Sequence, residues 1–138
     1  PTEAEWEYAC RAGTTSVFNT GDNITTDQAN YDGNKPYQNA PIGVFRGEPI
    51  AVGSLPSNAW GLHDMHGNVY EWRNDWYSDS YYRVSPLKDP FGPRSGVKHV
   101  GRGGGCWDHA KTCRSADRYA DPPDYSCSRL GFRLLLEE

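Results

Sequence analysis

Two acidic side chains in a short glycine-containing stretch are candidate ligands for a metal ion. Asp64 and Glu71 stand seven positions apart, with Gly67 between them. Calcium in proteins takes about six to eight oxygen atoms at ~2.3–2.6 Å, from carboxylates and backbone carbonyls. A loop kinked at a glycine can supply both kinds of oxygen. The sequence therefore predicts a structural calcium site formed by Asp64, Glu71 and the carbonyls of Gly67 and Val69. The alternative is that the two carboxylates only cap turns.

Two histidines in the same stretch raise the separate question of zinc. His63 and His66 are three positions apart and flank Asp64. That spacing could hold zinc on a helix, but Gly61 and Gly67 indicate a loop, and no third ligand is evident. Solvated or packed histidines are therefore the preferred interpretation.

The four cysteines, Cys10, Cys106, Cys113 and Cys127, are spread along the chain. Four cysteines allow three pairings, and the sequence does not choose among them or fix the compartment. No C-x-x-C pair occurs, so neither a zinc ribbon nor a thioredoxin-type redox pair is supported. For Cys106, a buried thiol is the first interpretation. A disulfide or metal thiolate comes second and a catalytic thiol third.

A polar segment near the C-terminus has the composition of a binding surface. Tyr, Ser, Asp and Arg are adaptable contact residues in binding loops generally. The alternative is an ordinary exposed hairpin. The predicted ligand-binding residues are Trp107, Asp108, His109, Thr112, Asp117, Tyr119, Asp121, Asp124, Tyr125, Ser126, Ser128 and Arg129.

Composition limits the class of protein that could carry these residues. The chain has 138 residues, with 15 Gly, 10 Pro, 5 Trp, 9 Tyr and 4 Phe, which indicates one turn-rich, aromatic-rich globular domain. The net charge of −4, without a basic block, argues against nucleic acid as the main partner. No apolar run approaches the ~18 residues of a membrane span. Five aromatic residues could line a sugar- or peptide-binding groove, namely Trp60, Tyr70, Trp72, Trp76 and Trp107, and most of them are assigned to packing.

The elements that would position these residues are few and short. Thr2 and Glu5 form a capping box, which predicts a helix from there to Arg11 that stops near Gly13. Three prolines and a polar composition predict a long surface loop over residues 77–96. Phe132 is expected to point inward from the last strand. Predicted strands cover residues 50–52, 97–107 (broken by glycines 103–105), 110–118 (which could pair with the preceding one) and 130–136.

Several of these motifs together resemble a known family, the formylglycine-generating enzyme or sulfatase-modifying factor superfamily. The resemblance implies an α+β, irregular C-type-lectin-like fold with short antiparallel strands, few helices and little regular secondary structure. It also implies that residues 1–138 are a single domain of this type that lacks the N-terminal part of the family domain. The matching motifs are PTEAEWEYA at 1–9, WGLHDMHGNVYEW at 60–72, RGG at 102–104, CRSADR at 113–118 and GFR at 131–133.

The resemblance also implies a chemistry, from which this chain departs. The generating enzymes oxidise a substrate cysteine with copper and oxygen, using two cysteines five positions apart after a Gly-Gly-Ser segment. Here Gly105 replaces the serine, and Cys106 and Cys113 are seven apart. Cys113 matches a structural cysteine of the family. The prediction therefore leans away from an enzyme, with the copper-dependent oxidase as the alternative.

The preferred function is a calcium-stabilised module that binds a protein or peptide ligand through residues 107–129. In some members with this fold, the same segment is the variable surface of diversity-generating retroelement proteins. Asp, His, Tyr, Ser, Thr, Cys and Arg are each reachable from an asparagine codon by adenine-directed change. The composition of this segment makes the chain a candidate variable protein of that kind.

Overall fold

The computed structural model describes residues 1–136, which are mostly loops around one helix and a small sheet. Within these residues no helix is long and apolar enough to cross a membrane. The regular elements are helix α1 (Glu3–Arg11), strands β1 (Tyr70–Trp76), β2 (His99–Arg102), β3 (Tyr119–Asp121) and β4 (Leu130–Gly131), and the 3-10 helices Tyr81–Arg83 and Ala110–Cys113.

The capping box predicted for helix α1 is confirmed. The backbone N–H of Glu5 donates to Thr2 Oγ1 at 3.3 Å, and the Thr2 N–H donates to Glu5 Oε2 at 2.8 Å. Both bonds satisfy N–H groups that have no partner inside the helix. The helix ends after Arg11, where Ala12 adopts the left-handed conformation with φ of 45° and Gly13 follows with φ of 89°. Trp6 and Cys10 lie on its buried face.

The four strands form one sheet in the order β3-β2-β1-β4. The β1–β2 and β2–β3 pairs are antiparallel, as predicted for this fold, whereas β1 and β4 are parallel. Glu71 of β1 faces Arg102 of β2, and Trp72 faces Gly101. A Cβ at Gly101 would lie 2.7 Å from the Tyr119 ring, so a glycine is needed for this close approach.

Several strand predictions need correction. Residues 50–52 form no strand, because the backbone there is held by turns and by the Asn68 side chain, which accepts from the Ile50 N–H at 2.9 Å. Residues 110–118 do not pair with β2; they begin with a 3-10 helix, and the pairing strand is Tyr119–Asp121. The strand predicted at 97–107 is confined to His99–Arg102.

The last strand is also shorter than predicted. Pairing with β1 covers only Leu130 and Gly131, which face Tyr70 and Glu71, although β1 itself continues to Trp76. The side chain of Phe132 is 71% exposed, so the prediction that it points inward is wrong. The surface loop over 77–96 is confirmed, apart from the short 3-10 helix Tyr81–Arg83.

Of the aromatic residues assigned to packing, Trp60 is exposed, at 46%, and contacts Tyr8 edge-on. The other four, Tyr70, Trp72, Trp76 and Trp107, are half-buried. The fully buried interior is built from other side chains. It forms two clusters, one around Phe18, Ile24, Ala29, Tyr31, Ala110 and Cys113, and one around Trp6, Cys10 and Met65.

A buried arginine connects the helix to the sheet. Arg102 is fully buried, and its guanidinium forms an ion pair with Glu7 and lies 3.6 Å from Glu3 Oε1. It also donates to the carbonyl of Ser115 at 2.9 Å and to the carbonyl of Asp117. One side chain thus holds helix α1, strand β2 and the segment after the second 3-10 helix together.

We expect Arg102→Met to lower the free energy of unfolding by about 3–5 kcal/mol, the usual cost of removing one partner from a buried ion pair. The methionine retains much of the side-chain volume, so the loss reports on the polar contacts. Urea unfolding followed by tryptophan fluorescence measures it. Lys88→Ala is the control, since Lys88 is exposed and forms no ion pair with the described residues, and should change stability by less than about 1 kcal/mol. Equal effects of the two substitutions would contradict the central role of Arg102.

Candidate functional site

The predicted ligand-binding residues all reach the surface. None of the twelve is buried. The exposed members are His109, Asp124, Tyr125, Ser126 and Ser128, and the half-buried members are Trp107, Asp108, Thr112, Asp117, Tyr119, Asp121 and Arg129. This distribution of exposure is what a display surface requires.

The side chains that support this surface are buried. Ala110, Cys113 and Ser115 have no measurable exposure. Gly104 lies directly against this support, since a Cβ there would be 2.6 Å from Cys113 Sγ. The segment that carries the predicted contacts is therefore anchored from below at three buried positions.

One cavity of about 190 Å³ lies between this segment and the sheet. Three of the predicted residues line it, Asp108, Tyr119 and Arg129. Sequence reasoning missed the other three lining residues, Tyr70, Cys127 and Leu130. The Tyr70 and Tyr119 rings stack with their centroids 4.4 Å apart, which brings β1 and β3 together across β2. Tyr70 could have been found from the alternation of strand β1, because it lies on the face opposite Glu71.

The electrostatics of this cavity centre on Asp108. Burial raises the pKa of its carboxyl, and the positive charge of Arg129 partly offsets this rise. Within residues 1–136 the Asp108 Oδ2 atom is buried and accepts no hydrogen bond. The Arg129 guanidinium lies 5.9 Å from the centre of the Trp107 ring. Burial lowers the pKa of Arg129, but the negative charge of Asp108 and other neighbouring groups outweigh this effect and raise it.

Other predicted contact residues take part in local structure instead. Asp117 accepts from Arg114 at 2.6 Å, and burial raises the pKa of its carboxyl. Thr112 Oγ1 donates to the carbonyl of His109 at 2.9 Å, which closes the second 3-10 helix. Asp117 and Thr112 do not line the cavity.

The four predicted calcium ligands line a second cleft, of about 430 Å³. Asp64 and Gly67 both have left-handed backbone angles, with φ of 57° and 77°. A Cβ at Gly67 would lie 2.4 Å from the carbonyl oxygen of Asn30, so no other residue fits there. The loop is therefore bent as predicted, and it brings Asp64, Gly67, Val69 and Glu71 to one place.

The carboxylate of Glu71 is heavily hydrogen-bonded. Its Oε2 atom accepts from Trp6 Nε1 at 2.8 Å, from Arg73 at 3.0 Å and from Arg133 Nε at 2.7 Å. Its Oε1 atom accepts from Arg133 alone, at 2.6 Å, within the described chain. Asp64 Oδ2 accepts from the Gly53 N–H at 2.8 Å. Lone pairs thus remain on Glu71 Oε1 and on Asp64, and such oxygens suit a hard cation.

The cysteines are free thiols. Cys10, Cys106 and Cys113 are buried, and Cys127 is half-buried. Burial raises the pKa of Cys10 to about 12, and it also raises the pKa of Cys106 and of Cys113. No group of three or more His, Cys, Asp or Glu side chains within residues 1–136 is arranged for a metal ion.

Of the two histidines, His63 lies at the surface and His66 is buried. His66 Nδ1 donates to the carbonyl of Cys113 at 2.7 Å, and Nε2 accepts from the Asn19 N–H at 3.1 Å. Both bonds require the neutral ring, because a proton on Nε2 would face the Asn19 N–H. Burial lowers the pKa of His66 to about 4.

Comparison with known proteins identifies the class to which this fold and these motifs belong. The family model described as "Sulfatase-modifying factor enzyme 1-like domain" matches residues 1–138. The structure resembles Treponema denticola variable protein 1 with a TM-score of 0.75 and 32% identity, over 96% of this chain and 45% of that one. It resembles PvdO from Pseudomonas aeruginosa with the same TM-score of 0.75 and 29% identity, over 95% of this chain and 49% of that one. The predicted α+β, C-type-lectin-like fold is therefore confirmed.

Sequence relatives agree with the structural ones. The formylglycine-generating enzyme of Streptomyces coelicolor is 41% identical over 96% of this chain and 45% of its own length. The serine/threonine-protein kinase pkn1 of Chlamydia caviae is 40% identical over 96% of this chain and 20% of its own length. The chain belongs to the sulfatase-modifying factor family and spans less than half of each of these relatives. That residues 1–138 form one domain without the family's N-terminal part stays a prediction.

His66 generates a prediction about stability and pH. The folded pKa lies below the ordinary value of 6.5, so the unfolded chain binds this proton more tightly. The stabilisation is complete above pH 6.5 and is lost as the pH falls to about 4, by about 3 kcal/mol in all. Urea unfolding at several pH values should show a flatter pH dependence for His66→Gln than for the wild type.

The surface variant His63→Gln is the matched control, and its pH dependence should follow the wild type. Burial also raises the pKa values of Asp75, Asp108 and Asp117, and these carboxyls contribute to the pH dependence of every variant, so the difference between variants is the quantity to compare. Equal slopes for His66→Gln and the wild type would show that the His66 proton is not linked to folding.

Proposed function

We propose that this chain is a ligand-binding module of the sulfatase-modifying factor family, which contacts a protein or peptide through the surface formed by residues 107–129. The observation that carries the proposal is the exposure of that surface over a buried support. Its polar contacts, at positions such as His109 and Asp124, are open to a partner. Ala110, Cys113 and Ser115 hold the backbone beneath them.

The likeness to a protein named variable protein 1 supports a more specific form of the proposal. In this form the chain is a variable protein of a diversity-generating retroelement, and positions within 107–129 differ between copies. The arrangement suits this role, because side chains that are not buried can change without repacking the interior. A near-copy of the segment encoded beside a reverse transcriptase would support this form.

The alternative is a copper- and oxygen-dependent oxidase, which the 41% identity to a formylglycine-generating enzyme favours. Two features of this chain weigh against it. Gly105 replaces the serine expected from the family pattern, and the thiols of Cys106 and Cys113 are buried with raised pKa values. A thiol that stays protonated is a poor copper ligand and a poor nucleophile.

We also propose that the module binds a calcium ion that has a structural role. The oxygens of Asp64, Gly67, Val69 and Glu71 would hold it in the second cleft. Arg133 and Arg73 already balance the charge of Glu71, so Asp64 supplies the negative charge that remains available. When bound, the ion would tie the central loop to strand β1 and support the fold rather than react.

Calcium should raise the Tm of the wild-type protein after treatment with a chelator, and Asp64→Gly should abolish most of that rise. Glycine suits the left-handed backbone at this position, so the substitution removes the carboxylate without adding strain. Asp89→Gly is the matched control, because Asp89 also has a positive φ, of 47°, and lies outside the cleft. A Tm that does not respond to calcium in the wild type would refute the site.

Binding through residues 107–129 is tested on a protein and peptide array with two matched variants. The surface variant replaces His109, Asp124 and Tyr125 by alanine, and the control variant replaces three exposed residues elsewhere, Val52, Leu87 and Lys88. We expect the control variant to bind the same array ligands as the wild type, and the surface variant to bind them with an affinity at least tenfold lower. A few residues contribute most of the binding energy of an interface, and removing one costs about 2 kcal/mol or more.

Two results would contradict the binding proposal. One is a set of ligands lost equally from both variants, which would place binding elsewhere. The other is aldehyde formation at turnover rates from a Cys-x-Pro-x-Arg peptide incubated with copper and the protein, detected by mass spectrometry. The second result would establish the oxidase alternative.

A further inference from the structure

The cavity between strand β1 and the segment from Trp107 to Arg129 has an unusual charge distribution. It is lined by Tyr70, Asp108, Tyr119, Cys127, Arg129 and Leu130, and we call it the Asp108 cavity. Its volume of about 190 Å³ would hold about six water molecules, or one side chain of a ligand. It therefore offers an anchor point within the wider binding surface.

One oxygen of the carboxylate in this cavity lacks a hydrogen-bond partner. Asp108 Oδ2 is buried and accepts no hydrogen bond from residues 1–136, and no side-chain cation of this part of the chain lies within 4.0 Å of its carboxylate. A buried carboxylate oxygen without a hydrogen bond is costly, and a positive group brought to Asp108 by a ligand would relieve part of that cost.

The space for this carboxylate comes from Gly105. A Cβ at this position would lie 2.9 Å from Asp108 Oδ2 and 3.6 Å from the Tyr70 ring. Any larger residue at 105 would press on the carboxylate and displace it. The absence of a side chain at 105 thus lets Asp108 sit beside the stacked tyrosines.

The walls of the cavity also favour a cation. The rings of Tyr70 and Tyr119 present aromatic surface next to the carboxylate, and cations are attracted to such surfaces. Among the described residues that line the cavity, Arg129 carries the positive charge, and its guanidinium carbon lies 5.9 Å from the centre of the Trp107 ring. Arg129 therefore opposes a bound cation by charge without occupying the position beside Asp108.

From these contacts we infer that the Asp108 cavity binds a primary ammonium group, such as a lysine side chain of the ligand, with Asp108 as its counter-ion. The inference rests on the proposed function, because the cavity opens within the 107–129 surface. It adds a chemical class of ligand to that function. Tyr70 and Tyr119 would contact the methylene chain, and Asp108 would pair with the ammonium.

Nα-acetyl-lysine amide tests this, with the norleucine and glutamate analogues as neutral and anionic probes. Titration is followed by the NMR signal of the Trp107 indole N–H, assigned with a Trp107→Phe variant. We expect the lysine probe to bind at least about tenfold more tightly than norleucine, the usual gain from a charge-assisted hydrogen bond. Equal binding of the two, no binding of lysine, or tighter binding of glutamate would overturn the inference.

Two single substitutions should act in opposite directions. Asp108→Asn removes the counter-ion and should abolish the preference for lysine over norleucine. Arg129→Gln removes a like charge and should tighten lysine binding at low salt. A general disturbance of the surface would weaken binding in both variants, and that pattern would contradict the inference. Asp79→Asn, at an exposed position outside both the cavity and the 107–129 surface, should leave lysine binding unchanged.

The test is separate from that of the proposed function. If array ligands depend on the 107–129 surface and the lysine probe does not bind, the ammonium inference fails and the binding function stands. If the lysine probe binds with this charge dependence and no array ligand depends on the surface, the ammonium site stands and the proposal of a macromolecular partner fails.

Discussion

The fold depends on the contacts of the Trp6 ring with buried charged side chains. The guanidinium groups of Arg73 and Arg102 both lie over the Trp6 ring, with their central carbons 5.6 and 5.3 Å from its centroid. Its indole N–H donates to Glu71 at 2.8 Å. Each charged group here is buried and paired, with Arg102 bound to Glu7 and Arg73 to Glu71. Because the chain has few aliphatic residues, these contacts supply part of the stabilisation that a larger apolar core provides in other proteins.

This arrangement fixes both candidate sites at once. Glu71 points towards Trp6 from one face of strand β1, and its carboxylate also reaches the cleft with Asp64. The neighbouring residue Tyr70 points to the opposite face and lines the Asp108 cavity. Because successive side chains of a strand alternate between faces, one two-residue stretch of β1 sets the position of Glu71, a proposed calcium ligand, and of Tyr70 in the cavity wall. Movement of β1 would therefore disturb both sites together.

The parts of the molecule that could be predicted from sequence are those governed by local chemistry. The capping box of Thr2 and Glu5 specifies the start of the helix from four residues, and Gly67 specifies the bend of the central loop. The strands near the C-terminus could not be predicted, because their pairing is decided by distant partners. Leu130 pairs with Tyr70, 60 positions away, in a parallel arrangement that no local pattern indicates. The fold class itself could be predicted only through the family resemblance, since periodicity over residues 14–57 is poor.

The same distinction explains why the exposure of residues 107–129 could be predicted from sequence and the Asp108 cavity could not. Exposure follows from composition, and a segment rich in Asp, Ser and Tyr between glycine-containing framework motifs is expected at the surface. The cavity depends on a missing atom, because Gly105 lacks the Cβ that would press on Asp108. From the sequence, one sees only that Gly105 stands where the family pattern has a serine. In the structure, the same departure leaves room for a carboxylate where the surface meets the sheet. A substitution that argues against oxidase chemistry thus argues at the same time for recognition of a charged group.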